Sequence, residues 1–223
     1  MLNKSTLVWN KLGVWIRPGT GDEGIPGEQK AWQPMDLKDR TVLDIGGHIG
    51  CFAVYANQQG ARNIVSIEPH PDNCEMYELN LDGVNNVELI EAAVVGSTYP
   101  YDTIPLWCTG RKGTATHSIY EFRGRKVIDV PTVTLELLLN EYNPSAVKID
   151  IEGGEYNLLS DILSLFPKHY VEYVGVELHA MKPLWRVYAN RFVSQMNKKY
   201  NLIVSPDISN DKWIGKIARW ALS

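Results

Sequence analysis

The sequence has few cysteines and no long apolar run, and both shortages exclude classes of protein. Cys51, Cys74 and Cys108 are an odd number of cysteines without C-x-x-C spacing, so they predict buried or free thiols rather than a disulfide framework or a zinc cage. No run of about 18 apolar residues is present to span a bilayer, and the amino-terminal stretch lacks the apolar core and cleavage site of a secretion signal. These absences predict a soluble, cytoplasmic protein with no membrane among its partners.

The chain also lacks an excess of positive charge. Its 22 Lys and Arg residues against 26 Asp and Glu residues give a formal net charge of −4, which disfavours sequence-independent binding to nucleic acid, because such binding neutralises many phosphates. The net charge leaves open whether the surface carries a local basic patch, and the sequence leaves the oligomeric state open. The length of 223 residues, without repeats or linkers, predicts a single domain over residues 1–223.

Strand and helix patterns alternate along the chain. Apolar runs bounded by turn residues predict strands over 41–45, 63–69, 86–95, 145–153 and 172–179. Helical patterns with start and stop signals lie between them, over 50–59, 70–83, 134–142 and 154–166. Such alternation implies right-handed βαβ units. The predicted fold class is therefore α/β, with a doubly wound and mostly parallel sheet.

Two regions depart from this alternation. Residues 1–40 are punctuated by Pro and Gly and predict a loop-rich lead-in laid over the sheet. Residues 97–133 contain short β-prone runs separated by Gly turns, which predict a β-hairpin insertion. Ligands bind at the carboxyl edge of parallel sheets, so this insertion is a candidate for substrate contact.

The turn in "TVLDIGGHIG" fits neither of two common phosphate-binding motifs. It lacks the Lys and hydroxyl of a P-loop and the G-x-G-x-x-G spacing of a dinucleotide site. An anion at Asp44 would repel a diphosphate, whereas Gly46 and Gly50 allow close approach of a ligand, and Glu68 can accept hydrogen bonds from a ribose diol. These features predict S-adenosylmethionine as the ligand, although the turn pattern alone also occurs as ordinary strand-to-turn chemistry.

Several motifs together resemble the FkbM-type S-adenosylmethionine-dependent methyltransferases. They are "VLDIGGHIGCFAVYA", "GARNIVSIEPHPDNCEMYELN", "AAVVG", "VTLELLL" and "VKIDIEGGEYNLL", in order over roughly residues 16–180. The resemblance implies a class I methyltransferase fold with a sheet of about seven strands and methyl transfer to a hydroxyl, often on a sugar or a secondary metabolite. The insertion and the tail after residue 180 match no motif of the family, so the acceptor is left open.

The resemblance also implies which residues contact the cofactor. Gly46 and Gly47, with Asp44 and Gly50, would line the methionine end, and Glu68 would hold the ribose. The adenine would lie near Glu91 and the backbone of Ala92. His48 either contacts the cofactor or is a solvent-facing or helix-start histidine.

Charged residues at the ends of the fourth and fifth main strands predict the catalytic edge. Alternation sends Lys148, Asp150 and Glu152 to one side of a strand whose two faces should be buried, and Glu177 and His179 end the next strand. A structural alternative is an ion pair from Lys148 to Glu177 or Glu152. The functional interpretation places Asp150 beside the transferred methyl, with His179 or Asp150 as general base. The same residues could instead bind Mg²⁺ or Mn²⁺; we expect base catalysis without a metal.

The acceptor side is predicted from the insertion and the strand that precedes it. The candidate contacts are Glu152, Trp107, His117, Arg123 and Arg125. Five cations gather in the insertion, where they predict binding of an anionic group or form a solvated hairpin tip. The predicted function is an O-methyltransferase acting on a sugar or glycan. The alternatives are methylation of a natural-product hydroxyl or of nucleic acid, and a cofactor-binding module without turnover.

Overall fold

The computed structural model describes residues 4–110, 115–121, 124–179, 183–204 and 216–222. Its strands, in chain order, are β1 (Val8–Trp9), β2 (Trp15–Ile16), β3 (Thr41–Ile45), β4 (Asn63–Ile67), β5 (Val87–Ile90), β6 (Ala93–Val95), β7 (Thr103–Cys108), β8 (Lys126–Thr134), β9 (Ala146–Ile149), β10 (Tyr173–Leu178), β11 (Tyr200–Val204) and β12 (Lys216–Leu222). Its α-helices are α1 (Ile25–Glu28), α2 (Cys51–Gln58), α3 (Pro71–Asn80), α4 (Leu135–Tyr142), α5 (Leu159–Leu165) and α6 (Pro183–Met196). Within these ranges no helix combines the length and apolar character needed to cross a membrane.

A seven-stranded sheet forms the centre, in the order β11-β12-β10-β9-β3-β4-β5. The five strands from β10 to β5 run parallel, and β12 alone is reversed, because it pairs antiparallel with both β10 and β11. The α/β class and the mostly parallel central sheet are therefore confirmed, although the sheet is mixed. Strands β3 and β9 are buried along almost their whole length, as expected for strands covered on both faces.

The helices begin where the sequence carries their start signals. Pro71 occupies the first turn of α3, where its missing N–H costs nothing, and the His70 side chain accepts a hydrogen bond from Asp72 N. The Thr134 side chain caps α4 by accepting from Leu137 N. Because α3 follows β4 directly, its amino-terminal loop lies at the carboxyl edge of the central sheet.

The predicted single strand over 86–95 is wrong. The chain forms two strands, β5 and β6, which belong to different sheets. Between them Ala92 N donates to Ile90 O at 3.0 Å, a tight turn that breaks the ladder. Strand β6 then pairs with β8, whose partner β7 completes a three-stranded sheet. The hairpin predicted in the insertion is present as β7 and β8.

The carboxyl-terminal part has elements that the sequence did not predict. Helix α6 is followed by β11 and β12, which complete the central sheet through antiparallel pairing. Trp220 of β12 is fully buried against Phe192 of α6 and donates its indole N–H to Asn197 Oδ1 at 2.8 Å. At the other end of the chain, Trp32 packs on Phe52 and over Gly175 of β10.

A buried ion pair crosses the middle of the central sheet. Lys148 on β9 lies opposite Asp44 on β3 in the strand register, and Lys148 Nζ is 3.0 Å from Asp44 Oδ1. Burial alone lowers the pKa of Lys148, but the carboxylates of Asp44 and Asp150 raise it above its ordinary value. Burial raises the pKa of Asp44 against the opposing effect of Lys148. We assign the charged pair, because the same Nζ also donates to Gly46 O at 2.7 Å.

Asp44→Asn should lower the free energy of unfolding by about 3 to 5 kcal/mol, because it leaves the Lys148 ammonium buried without its counter-charge. Denaturant unfolding followed by circular dichroism measures this change. Ser66→Ala is the matched control: it removes only the hydroxyl that donates to Asp44 Oδ2 and should cost about 1 kcal/mol. Equal losses for the two variants would contradict the assignment of a charged pair.

Candidate functional site

A cavity lies at the carboxyl edge of the central strands. Three segments enclose it: the turn after β3, the loop after β9 and the hairpin insertion. They contribute Gly46, Gly47 and His48; Asp150, Ile151 and Glu152; and Thr116, His117 and Ser118 to its lining. The cavity thus joins the two halves of the site that the sequence predicted separately.

The glycine turn is held so closely to its neighbours that side chains are excluded. The backbone N–H groups of Gly46 and Gly47 both donate to Ile67 O, at 2.9 and 3.0 Å. Gly46 has φ +90°, and a Cβ at this position would lie 1.9 Å from Asp150 O. The turn after β3 therefore contacts the loop after β9 directly, which explains why Gly46 is required.

Glu68 lines the cavity with a carboxylate that is already well bonded. Its Oε1 accepts from His70 N at 2.9 Å and Asn73 Nδ2 at 3.2 Å, and its Oε2 accepts from His48 N at 3.0 Å. Two oxygens offer about four acceptor positions, so one position on Oε2 stays available for a ligand. We therefore expect a ribose diol, if held by Glu68 as predicted, to bind through this position on Oε2.

His48 stands in the turn as a neutral imidazole. It adopts a left-handed backbone conformation with φ +49°, which directs its N–H to Glu68. Burial lowers the pKa of His48 to about 4. His48 belongs to the lining of the cavity, and its ring nitrogen Nε2 lies 3.6 Å from Asp22 Oδ1. Contact with the cofactor stays a prediction.

Carboxylates surround the imidazole of His179. Its Nε2 lies 3.9 Å from Asp150 Oδ1, 3.6 Å from Glu152 Oε2 and 3.7 Å from Glu177 Oε1. Its Nδ1 is 3.3 Å from Glu155 Oε1. Burial lowers the pKa of His179, but these carboxylates outweigh burial and raise the pKa well above its ordinary value. An imidazole that holds its proton cannot accept another, so these surroundings oppose the predicted role of His179 as general base.

Glu155 is a residue that the prediction missed. Its side chain is fully buried, and its carboxylate accepts from His179 N at 2.6 Å and Gly153 N at 2.9 Å. Glu155 thereby fixes both the loop after β9 and the end of β10. Glu155 is the last residue of the motif "KIDIEGGE". Its burial close to the acids Asp150, Glu152 and Glu177 is visible only in the fold.

The insertion is bonded to the catalytic edge and places a second neutral histidine in the cavity. Ser118 Oγ donates to Glu152 O at 2.8 Å. Thr109 N donates to His117 Nδ1 at 3.1 Å, which assigns the ring proton to Nε2. That Nε2 is buried without a hydrogen-bond partner among the described residues. Burial lowers the pKa of His117 to about 3, so its ring offers a neutral N–H donor.

The other predicted residues divide between the lining of this cavity and its surroundings, as far as the described chain shows. Lys148, Ala92 and Glu177 line the cavity, whereas the lining does not include Asp44, Gly50, Glu91, Trp107 or His179. Asp44 is buried beneath the turn as the partner of Lys148. Arg125 lines a second cavity, on the far side of His117, with Arg17, His70 and Lys126. Arg123 lies outside the described residues. The predicted ion pair of Lys148 with Glu177 or Glu152 gives way to the pair with Asp44.

The fold is that of class I methyltransferases. The chain is similar to fibrillarin in the fibrillarin/Nop5p complex, with a TM-score of 0.53, 11% identity and coverage of 97% of this chain and 93% of that one. It is also similar to a ribosomal protein L11 methylase from Lactobacillus delbrueckii subsp. bulgaricus (TM-score 0.51, 12% identity, coverage 93% and 84%) and to an rRNA methylase from Streptococcus thermophilus (TM-score 0.51, 9% identity, coverage 84% and 89%). At these identities the likeness establishes the fold alone.

The family follows from a match to the methyltransferase FkbM domain over residues 44–199. The chain belongs to the FkbM methyltransferase family, and its cofactor is S-adenosylmethionine. The match extends beyond residue 180, where the sequence motifs stopped, and so includes helix α6. No curated protein sequence matches the chain.

The cavity has the chemistry that this cofactor requires. Among the described lining residues, four carboxylates (Glu68, Asp150, Glu152, Glu177) face a single cation, Lys148. This excess of negative charge attracts a sulfonium ion and repels a diphosphate. Glu68 retains one acceptor position, the glycine turn leaves room for close approach, and the apolar side chains of Ile67, Leu106 and Ile119 provide surface for an aromatic ring. The residues therefore fit S-adenosylmethionine.

Gly46→Ala should destabilise the fold by about 1 to 2 kcal/mol for the left-handed backbone and by about 3 kcal/mol more for the contact with Asp150 O. Gly60→Ala is the matched control, since Gly60 has φ +83° but its added Cβ would meet only Lys38 Cγ at 3.7 Å. Thermal unfolding of both variants measures the difference. Similar unfolding midpoints for Gly46→Ala and Gly60→Ala would mean that the turn after β3 and the loop after β9 can move apart without loss of stability.

Proposed function

We propose that this FkbM-family methyltransferase transfers its methyl group to a hydroxyl of a sugar or glycan. The observation that carries the proposal is the single cavity in which the glycine turn and Glu68 face the carboxylates of Asp150, Glu152 and Glu177. When bound, S-adenosylmethionine supplies the methyl group: the acceptor oxygen forms the new C–O bond while the S–CH₃ bond breaks and leaves its electron pair on sulfur.

The residues of the chain divide the remaining work. Gly46, Gly47 and Glu68 hold the cofactor side. An alcohol must lose its proton during the transfer, and a carboxylate is the base that supports this loss, because His179 holds its own proton. Asp150 and Glu177 line the cavity with side chains that are about one-quarter and one-fifth exposed, so each can reach an acceptor hydroxyl. A positioned base of this kind contributes about 10² to 10⁴-fold to the rate.

A sugar suits the side of the cavity that binds the methyl acceptor, because the cavity wall there is rich in oxygen atoms that accept hydrogen bonds from hydroxyl groups. Glu152 and Glu177 offer carboxylate oxygens, and Thr116 brings a hydroxyl group from the insertion. The hydroxyl of Ser118 is engaged by Glu152 O and Tyr120 N. Beyond His117, the second cavity presents Arg125 and Lys126, with Asp72 as the opposing charge. Its third cation, Arg17, is already paired with the buried Asp22 at 2.7 Å. This polarity supports an acceptor with a neutral sugar near the carboxylates and an anionic group, such as a nucleotide diphosphate, in the basic cavity.

Two alternatives make different predictions for the same cavities. A nucleic-acid methyltransferase would use the basic cavity for a backbone phosphate, and the folds of the rRNA methylase and fibrillarin belong to the same class. A binding module without turnover would need the glycine turn and Glu68 but no carboxylates on the acceptor side. The presence of Asp150, Glu152 and Glu177 in the lining supports an enzyme.

We expect methyl transfer from labelled S-adenosylmethionine to at least one member of a panel of nucleotide sugars and charged glycans, read by mass spectrometry. Neutral sugars, natural-product alcohols and RNA are separate arms of the panel. The Arg125→Ala/Lys126→Ala double variant should raise the acceptor KM and flatten its salt dependence, because the basic cavity attracts the anion. Labelling of RNA alone would replace the sugar by nucleic acid, and no labelling in any arm would favour the binding module.

Glu68→Gln should weaken S-adenosylmethionine binding by about 10 to 100-fold, because a hydrogen bond to a charged acceptor is worth about 1.5 to 3 kcal/mol. Isothermal calorimetry measures the affinity, and circular dichroism checks the fold. Glu88→Gln is the control, since Glu88 is exposed on β5 and bonds to Tyr142. An affinity equal to that of the control would remove Glu68 from the cofactor site.

A further inference from the structure

The carboxylates around His179 are close together for groups of like charge. Asp150, Glu152 and Glu177 each place an oxygen 3.6 to 3.9 Å from the same nitrogen, His179 Nε2. Carboxylates gathered at such distances repel one another unless a cation lies among them; that cation is the protonated imidazole itself or, once the imidazole has given up its proton, a bound metal ion. The position that all three oxygens and the imidazole nitrogen face is therefore one where a positive charge is stabilised.

The distances distinguish this arrangement from an ordinary hydrogen-bonded histidine. An N–H···O bond spans 2.7 to 3.2 Å, and each of the three distances from Nε2 is longer. The ligand atoms of Asp150, Glu152 and His179 nevertheless all lie within 4.8 Å of one another. A gap of this size admits an ion whose own bonds to nitrogen and oxygen are about 2.0 to 2.2 Å long.

The imidazole is also held in the way that metal-binding histidines are held. Its side chain is 6% exposed, so Nε2 is directed into the cluster and away from solvent. The other nitrogen, Nδ1, faces the fully buried carboxylate of Glu155. A carboxylate on the second ring nitrogen fixes the tautomer and strengthens the nitrogen that binds a metal. This carboxylate–histidine pair is an observation independent of the acidic cluster.

The loop that carries Glu152 is fixed as well. Glu152 and Gly153 both have left-handed backbones, with φ +52° and +99°. Ser118 Oγ bonds to Glu152 O, and Gly153 N bonds to Glu155. The loop therefore presents the Glu152 carboxylate to His179 from a defined position.

We propose that His179 Nε2, with the carboxylates of Asp150 and Glu152, forms a binding site for a divalent cation of the Mn²⁺ type. One imidazole among carboxylates suits Mn²⁺, Fe²⁺ or Zn²⁺ better than Mg²⁺, which favours oxygen ligands and retains its waters. We thus favour metal ligation by these residues, the alternative left open by the sequence, over the expected catalysis without a metal.

The role of the cation in the reaction rests on the proposed function. Asp150 and Glu152 also line the cavity, so an ion bound to them can contact the acceptor hydroxyl and lower its pKa. With Asp150 and Glu152 engaged by the ion, Glu177 is the neighbouring carboxylate that takes the hydroxyl proton.

The test is direct binding of Mn²⁺ to the full chain after removal of metals with EDTA and exchange into chelator-free buffer. We expect one equivalent to bind, seen as loss of the electron paramagnetic resonance signal of free Mn²⁺. Asp150→Asn and Glu152→Gln should each weaken binding at least about tenfold, since even outer partners of a ligand contribute 10 to 100-fold. Asp129→Asn, an exposed carboxylate on β8, should bind as the wild type does.

A second variant and a second ligand separate the possible failures. His117→Ala should leave Mn²⁺ binding unchanged, because His117 belongs to a different cluster, with Cys108 and His70, whose two imidazole rings stack nearly parallel. No binding by the wild type, or equal binding by the Asp150 and Glu152 variants, would overturn the site. Calorimetry with S-adenosylmethionine on the same samples tests the proposed function separately: Mn²⁺ binding without cofactor binding would support the cation site and reject its role in methyl transfer.

Discussion

One buried ammonium group holds together the two loops from which the site is built. Lys148 Nζ pairs with Asp44 on the neighbouring strand, donates to Gly46 O in the glycine turn and lies 3.8 Å from Asp150 Oδ2. The rings of Trp32 and Phe52 lie within 6 Å of the same nitrogen and shield it from water. The cofactor side and the acceptor side thus share one electrostatic anchor, and a displacement of Lys148 would disturb both at once.

The elements with strong local signals were predictable from the sequence, and those defined by remote partners were not. Helix α3 has Pro71 at its start, and β3 is a short apolar run that ends at a glycine turn, so both were placed closely. Strand β6 has no local signal that separates it from β5, because its partner β8 lies more than thirty residues further on. The same limit applies to the partner of Lys148. Alternation showed that three charges share one side of a strand, but only the strand order places Asp44 opposite Lys148.

The candidate site was predictable in its composition but not in its charge states. The sequence was enough to select Glu68, Asp150, Glu177 and His179, because acids and a histidine at the ends of apolar strands are unusual. It did not show that Glu155 is buried beside His179, since a loop acid carries no periodic pattern. Without Glu155 the imidazole resembles a base. With Glu155 and the surrounding carboxylates it is a cationic group or a metal ligand, so the chemistry of one residue depends on a neighbour in a loop.

The three-stranded sheet of the insertion has a small apolar core of its own, formed by Ala93, Val95, Ile104, Leu106, Cys108 and Val130. Its ladder of hydrogen bonds is separate from that of the central sheet, and it contacts the loop after β9 through the hydroxyl of Ser118. Mutations in β7 or β8 can therefore reshape one wall of the cavity without changing the strand register that positions Lys148. The insertion wall of the cavity and the central strands that carry Lys148 therefore rest on separate apolar cores.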